Sequence, residues 1–366
     1  MGKIPLVDLQ AAHAEVAEEV ELGFKRVIST TGFIGGEEVA GFEREYAAFT
    51  GVPYCVGVAN GTDALELALR AVGVGPGAEV ILPANTFIAT AEAVARAGAR
   101  PVLVDMDPDT YLMDTDAALA AVTTATRAVL PVHLYGQLAP VERLAEGLAG
   151  TGVRIVEDAA QCQGATRCGR PAGSWGIAAT SFYPGKNLGA YGDAGAVVTT
   201  QEALATTVRT LANHGGLSKY AHELVGCNSR LDALQAVVLR AKLAKLAAGN
   251  AARRAAARRY DELLDGLDVV RPVTAEGNEH VWHLYVVRVA DRDRVLQTLN
   301  AAGIGAGIHY PTPVHLTPAF AHLGYGRGAF PHAEAAADRI LSLPLYPQLG
   351  EDAQEVVVRT LAGALA

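Results

Sequence analysis

Cysteine is scarce in this chain. The 366 residues hold four thiols, Cys55, Cys162, Cys168 and Cys227, too few and too scattered for a disulfide scaffold. Cys162 and Cys168 have no histidine cluster beside them, and their spacing is not that of zinc ligands. No metal site is expected, and the thiols are expected to be free, either buried or incidental. Long apolar runs are missing too, since no stretch approaches the roughly 18–20 residues of a membrane-spanning helix. The opening Met1-Gly2-Lys3-Ile4-Pro5-Leu6-Val7-Asp8 lacks the apolar stretch of a signal peptide, and Leu6 stands where a myristoylation signal has Ser or Thr. A cytoplasmic location without a membrane partner is the expectation. Positive charge is in deficit: 30 Lys and Arg against 39 Asp and Glu leave a net charge of -9. That balance argues against nonspecific nucleic-acid binding, although helix termini and single cations can still hold an anion.

Half of the residues are apolar and 19% are charged, the balance of a globular protein long enough for two lobes. Short apolar runs at 54–59, 79–82, 101–105, 127–132, 153–158, 178–182 and 194–199 read as strands. Helical segments at 63–72, 88–97, 115–122, 140–148 and 202–213 separate them. This alternation specifies an α/β lobe with a mostly parallel sheet, its ligands lying beyond the carboxyl ends of the strands. From 231 to about 267 the pattern becomes one long connecting helix in which 247–250 is the candidate break, then a strand at 281–289 and a helix at 292–302. The expected domains are 1–245, including the N-terminal segment, and a smaller one at 246–366. No repeat interrupts them, and the Arg/Ala-rich run at 251–259 reads as a solvated helix face.

Two segments carry the strongest chemical signal. Glu157-Asp158-Ala159-Ala160-Gln161 closes one apolar run, and Ser181-Phe182-Tyr183-Pro184-Gly185-Lys186-Asn187-Leu188-Gly189 follows the next. Pyridoxal 5'-phosphate (PLP) needs a lysine amine to condense with its aldehyde. It also needs an acid facing the pyridine nitrogen, because a protonated ring withdraws electrons from the reacting carbon. Asp158 at a strand end and Lys186 in the following loop supply both. A surface lysine and a loop-capping aspartate are the ordinary alternatives. An ammonium in an apolar, Gly-rich loop is costly, however, so burial is expected to favour the neutral Lys186 amine as nucleophile and base.

Asn60-Gly61-Thr62-Asp63 follows a strand and opens a helix. Gly61 lets backbone approach an anion, the free amides of a helix start bind phosphate, and Thr62 and Ser181 add hydroxyls. A plain N-cap is the competing reading; beside Asp158 and Lys186, a phosphate cup is preferred. Gln161 is placed to meet the cofactor's ring hydroxyl. Phe87, in Pro83-Ala84-Asn85-Thr86-Phe87-Ile88-Ala89-Thr90, either stacks on the pyridine face or joins the core. Glu157 is expected to be structural.

These segments, with Gly192-Asp193-Ala194-Gly195-Ala196 and Gly226-Cys227-Asn228-Ser229-Arg230-Leu231-Asp232, resemble in order and spacing the nucleotide-sugar aminotransferases of the DegT/StrS type. The resemblance runs from near residue 5 to Pro347. It implies a fold-type-I PLP enzyme of the α/β class, with a large, mostly parallel seven-stranded sheet domain and a smaller α+β C-terminal domain. It also implies a homodimer with shared active sites. By motif, Lys186 resembles the Schiff-base lysine, Asp158 the pyridine-nitrogen partner and Gln161 the ring-hydroxyl contact. Thr62, Asp63 and Ser181 resemble the phosphate contacts, and Phe87 fills the stacking place. Asn228 resembles the residue that reaches the phosphate of the neighbouring subunit's cofactor. Many members carry His where this chain has Gln163, which cannot titrate; Lys186 is then the sole evident acid/base. In the loop Gly303-Ile304-Gly305-Ala306-Gly307-Ile308-His309-Tyr310-Pro311, His309 and Tyr310 either touch substrate or pack against their Pro-rich surroundings. Tyr183, Lys219 and Tyr220 are further substrate candidates, whereas His214, His222 and His315 are expected to be structural.

The implied reaction is a two-stage amino transfer through PLP and pyridoxamine 5'-phosphate. Glutamate gives the amino group, a keto-sugar nucleotide takes it, and Lys186 moves the proton. The product class is the deoxyamino sugars of antibiotic biosynthesis. PLP-fold sugar dehydratases have histidine in place of the lysine, so Lys186 argues against that activity. The intact set of Lys186, Asp158, Gln161 and Ser181 argues against a non-catalytic regulatory protein. Amination of a 4-keto sugar or a keto-cyclitol stays open. The 219–222 stretch and Ser229, where 4-keto enzymes more often have an aromatic, resemble members acting on 3-keto sugars. A TDP-3-keto-6-deoxyhexose aminated at carbon 3 is therefore the expectation, with Ser229 shaping the floor of the sugar pocket.

Overall fold

The computed structural model of the chain describes residues 2–218 and 220–365. Three helices come first, α1 (Leu9–Ala14), α2 (Ala17–Thr30) and α3 (Gly36–Thr50). None is among the helices expected from the sequence. In α2 only Val20, Gly23 and Val27 are buried, a stripe too narrow to stand out among the glutamates around it.

The large lobe then runs β1 (Tyr54–Val58), α4 (Gly61–Ala71), β2 (Glu79–Pro83), α5 (Ile88–Arg96), β3 (Arg100–Val104), α6 (Thr115–Ala120), β4 (Thr126–Val129), α7 (Val141–Gly147) and β5 (Arg154–Asp158). A small hairpin, β6 (Thr166–Arg167) and β7 (Arg170–Pro171), leads to β8 (Ile177–Ser181), β9 (Gly195–Thr199) and α8 (Glu202–Ala212). Seven of these strands form one sheet in the order β1-β9-β8-β5-β4-β2-β3, and they are the seven expected from the sequence. The ladders from β3 through β8 are parallel; β9 runs antiparallel to both of its neighbours.

Side chains on a strand alternate between faces. Val56, Val58, Ile177, Ala179 and Val197 pack on α4, α5 and α8. Cys55, Ala178, Ala196 and Val198 pack on the opposite face with Phe42 and Tyr46 of α3. Burial on both faces explains why these strands read as continuous apolar runs.

The second lobe begins within α9 (Ala233–Leu263) and adds β10 (Asn278–Glu279), β11 (Tyr285–Arg288), α10 (Arg292–Ala301), α11 (Pro331–Ala337), β12 (Ile340–Leu343) and α12 (Glu351–Leu365). Strands β11 and β12 pair antiparallel over a core that joins Ala257 and Tyr260 of α9 to Val295, Leu299, Val357 and Leu361.

Two sequence expectations need correction. The break at 247–250 is absent: Gly249 lies against Pro347, and buried Asn250 accepts from Asn187 and donates to the Gln163 carbonyl, so packing overrides weak local propensity. The 245/246 division accordingly falls inside one unbroken helix. Residues 4–6 bond the second lobe through Ile4 with Gly303 and Gly305, and Leu6 with Leu345. Finally, the strand at 281–289 shortens to β11, because Val281 and Leu284 donate to the carbonyls of Gly136 and Tyr135 in the large lobe. That detour carries His283 across to the sheet.

Candidate active site

A cavity of about 630 Å³ lies at the C-terminal ends of β1, β2, β5 and β8, where open α/β sheets bind their ligands. Strand β5 delivers Asp158, which is buried. Behind it, Glu157 is held by His133 at 2.9 Å and by the Gly173 amide at 2.9 Å. The Ala139 amide donates to Nδ1 of His133, so Nε2 carries the proton given to Glu157. Asp158 Oδ2 accepts from Thr90 at 2.8 Å and Oδ1 from the Ala160 amide at 3.1 Å. Burial nonetheless raises its pKa, against the lowering effects of those bonds, Lys186 and His133. Among the described residues it forms no direct ion pair.

Lys186 lines the same cavity. Its amide donates to the Tyr183 carbonyl at 2.8 Å. Burial brings its ammonium down to about 8, with Asp158 and Cys162 pulling the other way. The neutral fraction at pH 7 is then about a tenth, far above that of an ordinary lysine, which suits a nucleophile and base.

At the start of α4, the Asn60 side chain accepts from the Asp63 amide at 2.8 Å. The cap reading is therefore correct for Asn60, and the first-turn amides of Gly61 and Thr62 stay unpaired by the helix. Gly61, Thr62 and Ser181 all line the cavity. A Cβ on Gly61 would sit 2.5 Å from Ser181 Cβ, and one on Gly195 would sit 2.5 Å from the Asn60 carbonyl. Only glycine lets these three segments close into a cup. Asp63 faces elsewhere: Arg96 at 2.9 Å and Ser229 at 2.8 Å hold its carboxylate, which braces the turn and leaves the cup to its neighbours.

Gln161 accepts from the Tyr135 amide at 2.7 Å and donates to the Tyr310 hydroxyl at 3.0 Å. Phe87 is 51% exposed, which excludes the core reading. Its ring lies 5.1 Å from that of Tyr310. His309 reaches Ser342 through Nδ1 at 2.8 Å, and its carbonyl accepts from the Tyr135 hydroxyl. Burial and then Lys186 lower its pKa to about 4. Tyr183, His309 and Tyr310 all line the cavity.

Other candidates are not brought in by their own chain. Tyr220 and Asn228 are exposed and do not line the cavity, and Lys219 lies outside the described residues. Ser229 is fully buried beneath the cup, donating to Asp63 and accepting from the Ala59 amide at 3.1 Å; it is not a pocket floor. His315 pairs with Glu334 at 2.9 Å, and His222 meets the His214 carbonyl at 2.8 Å, in keeping with structural roles. Thr90 and His283 went unrecognised. Thr90 had a signal, since it closes the 83–90 motif one turn after Thr86. His283 had none, because alternation marked its segment only as strand.

The donor set fits PLP. A buried acid has no direct ion pair among the described residues, a buried amine is brought down to about 8, and a helix start with two hydroxyls forms a cradle that a methyl group would obstruct. Lys186 would hold the aldehyde carbon, Asp158 the ring nitrogen, and Gly61, Thr62 and Ser181 the phosphate. Fold and donor set together define a fold-type-I PLP-dependent transferase.

Residues 14–362 match the model of the DegT/DnrJ/EryC1/StrS aminotransferase family, and the chain belongs to it. It is 47% identical to the dTDP-3-amino-3,4,6-trideoxy-alpha-D-glucose transaminase of Streptomyces venezuelae, over 95% of this chain and 92% of that one. It is also 47% identical to the erythromycin biosynthesis sensory transduction protein EryC1 of Saccharopolyspora erythraea, over 99% and 100% of the two chains. Among solved structures it resembles S. venezuelae DesV in complex with a ketimine intermediate, with a TM-score of 0.97, 45% identity and coverage of 99% and 98%. The protein is a PLP-dependent sugar aminotransferase. Among the described residues no helix is long and apolar enough to cross a membrane.

Proposed function

We propose that the enzyme moves the amino group of glutamate to carbon 3 of a thymidine-diphosphate 3-keto-6-deoxyhexose. The observation that carries this is a cavity that Tyr183, His309 and Tyr310 line together with Lys186, in a chain whose S. venezuelae relative is named for a dTDP-3-amino sugar. When bound, PLP supplies the electron sink that makes the donor's alpha proton removable. Lys186 Nζ would take that proton and hold it, and would give one up in the reverse sense for the keto sugar. Asp158 would hold the ring nitrogen with its carboxylate. The α4 amides, Thr62 and Ser181 would anchor the phosphate, and Phe87 would pack against the ring. Matched 3-keto and 4-keto sugar nucleotides, with glutamate as donor and product position read by NMR, test the assignment. A preference for the 3-keto substrate of about 10-fold or more is expected, the scale set by pocket-shape differences of about 1–3 kcal/mol. Preference for the 4-keto sugar reverses it.

The proposal includes a homodimer in which Asn228 serves the partner's phosphate cup. Asn228 is exposed and outside its own cavity, and Phe33, Ile34, Leu224 and Val225 expose apolar side chains. Such exposed apolar surface suits an interface. Chains carrying Lys186→Ala and chains carrying Asn228→Ala, each inactive alone, should give mixed dimers with one intact site. Equal co-expression is then expected to recover about a quarter of the parent activity, by symmetry. No recovery in proven mixed dimers rejects sharing.

A further inference from the structure

Gln163 cannot titrate, which leaves Lys186 as the evident acid/base of the large lobe's motifs, yet the cavity contains an imidazole from the other lobe. His283 is buried and lines it beside Lys186 and His309. Its Nδ1 lies 3.2 Å from Asn187 Oδ1. The Asn187 amide is oriented unambiguously, because its Nδ2 donates to the Val281 carbonyl at 3.0 Å and to Asn250 Oδ1 at 3.0 Å. Oδ1 can only accept, so Nδ1 of His283 carries the proton and Nε2 is left with a lone pair.

Among the described residues nothing donates to that lone pair. The charged and titratable groups that act on His283 are Lys186, Arg253, His309 and His280. Arg253 is spent on the carbonyls of Trp282 and Leu345. His280 accepts from the Trp282 amide through Nδ1, and Nδ1 of His309 meets Ser342. Of the two cationic side chains, Lys186 and Arg253, Lys186 is the one that lines the cavity with His283, and Asn187, the residue after it, is what fixes the imidazole. Asn187 and Asn250 extend the connection to the Gln163 carbonyl at 2.9 Å. The Gln163 amide in turn donates to Thr180 at 3.0 Å and to the Ser181 carbonyl at 2.8 Å.

We propose that His283 is a positioning residue for Lys186: Asn187 locks its Nδ1–H, and its bare Nε2 accepts a hydrogen bond from the Lys186 ammonium while that lysine holds the transferred proton. Burial first, then the surrounding cations, keep the imidazole well below its ordinary pKa, so it stays an acceptor in the working range. The proton shuttled by Lys186 thus has a fixed resting orientation, supplied by the lobe that also carries His309 and Tyr310.

The proposal rests on Lys186 as the cofactor lysine, which borohydride reduction and peptide mapping of the parent test separately. Its own test is the titration of Lys186 in full-length protein freed of PLP, read by competitive acetylation and peptide mass spectrometry across pH. His283→Asn keeps a side-chain N–H for Asn187 but removes the cavity-facing acceptor. His283→Gln puts an amide oxygen where Nε2 was. Losing a charge-assisted hydrogen bond should move the Lys186 midpoint of the Asn variant down by about one pH unit, with the Gln variant within about 0.3 unit of the parent. The Asn variant should lower kcat for the glutamate half-reaction more than it raises KM. An unmoved midpoint in the Asn variant overturns the proposal. So does an equal shift in both variants, which reports a disturbed loop, or a sugar KM effect alone, which assigns Nε2 to substrate.

Discussion

Lys186→Ala is expected to lower turnover by about 10⁴-fold or more, because one substitution removes both the proposed attachment of the cofactor and the proposed base. The same chemistry predicts how the parent captures PLP. Only the neutral amine attacks an aldehyde, and burial has brought Lys186 to about 8. Capture by PLP-free protein should therefore accelerate about tenfold per pH unit below that value and level off above it. Stopped-flow absorbance across pH measures the profile. A midpoint near the ordinary lysine value would mean that the amine is not desolvated before PLP arrives. Borohydride reduction of the holoenzyme should leave the pyridoxyl label on Lys186, and a label on any other lysine rejects the assignment.

Much of this site could be read from the sequence, because its parts sit at strand ends that buried apolar runs announce. Asp158 and Ser181 close β5 and β8, and Gly61 and Thr62 open α4 after β1. A parallel sheet gathers such ends whatever the loops between them do. Tertiary decisions were harder to see. Nothing local separates Asp63, which faces Arg96 and Ser229, from Thr62 at the cavity. The 281–284 segment looks like strand, and only its backbone bonds to Tyr135 and Gly136 turn it into the arm that presents His283. The unbroken α9 is a similar case, since Gly249 and Asn250 weaken the helix in isolation and are held by Pro347, Asn187 and Gln163 in the fold.

Asp158→Asn should separate catalysis from stability in opposite directions. Turnover is expected to fall by about 10²-fold or more, the scale for losing one preorganised electrostatic partner. The PLP-free variant, however, should melt at a higher temperature than the parent. Burial raises the folded-state pKa of Asp158 above the ordinary carboxylate value. Between the two values the folded protein binds more protons than the unfolded one, so stability falls as pH rises through that window. The full cost is then present at neutral pH. Asparagine removes the charge with little loss of hydrogen bonding. Its Oδ1 still accepts from the Ala160 amide, and its Nδ2 can donate to Thr90, whose hydroxyl then turns to Thr86 at 2.6 Å. PLP should shift the comparison, because the ionised carboxylate of the parent gains a cationic ring that the variant cannot match, and tighter binding stabilises the folded state more. Calorimetric scans of both proteins, with and without saturating PLP, measure the difference. Without PLP the stability advantage of the variant should shrink as the pH is lowered into the carboxylate range. A variant that melts below the parent at neutral pH without PLP would show that the Asp158 charge is already compensated by the protein, and that the site does not hold an uncompensated anion ready for the ring.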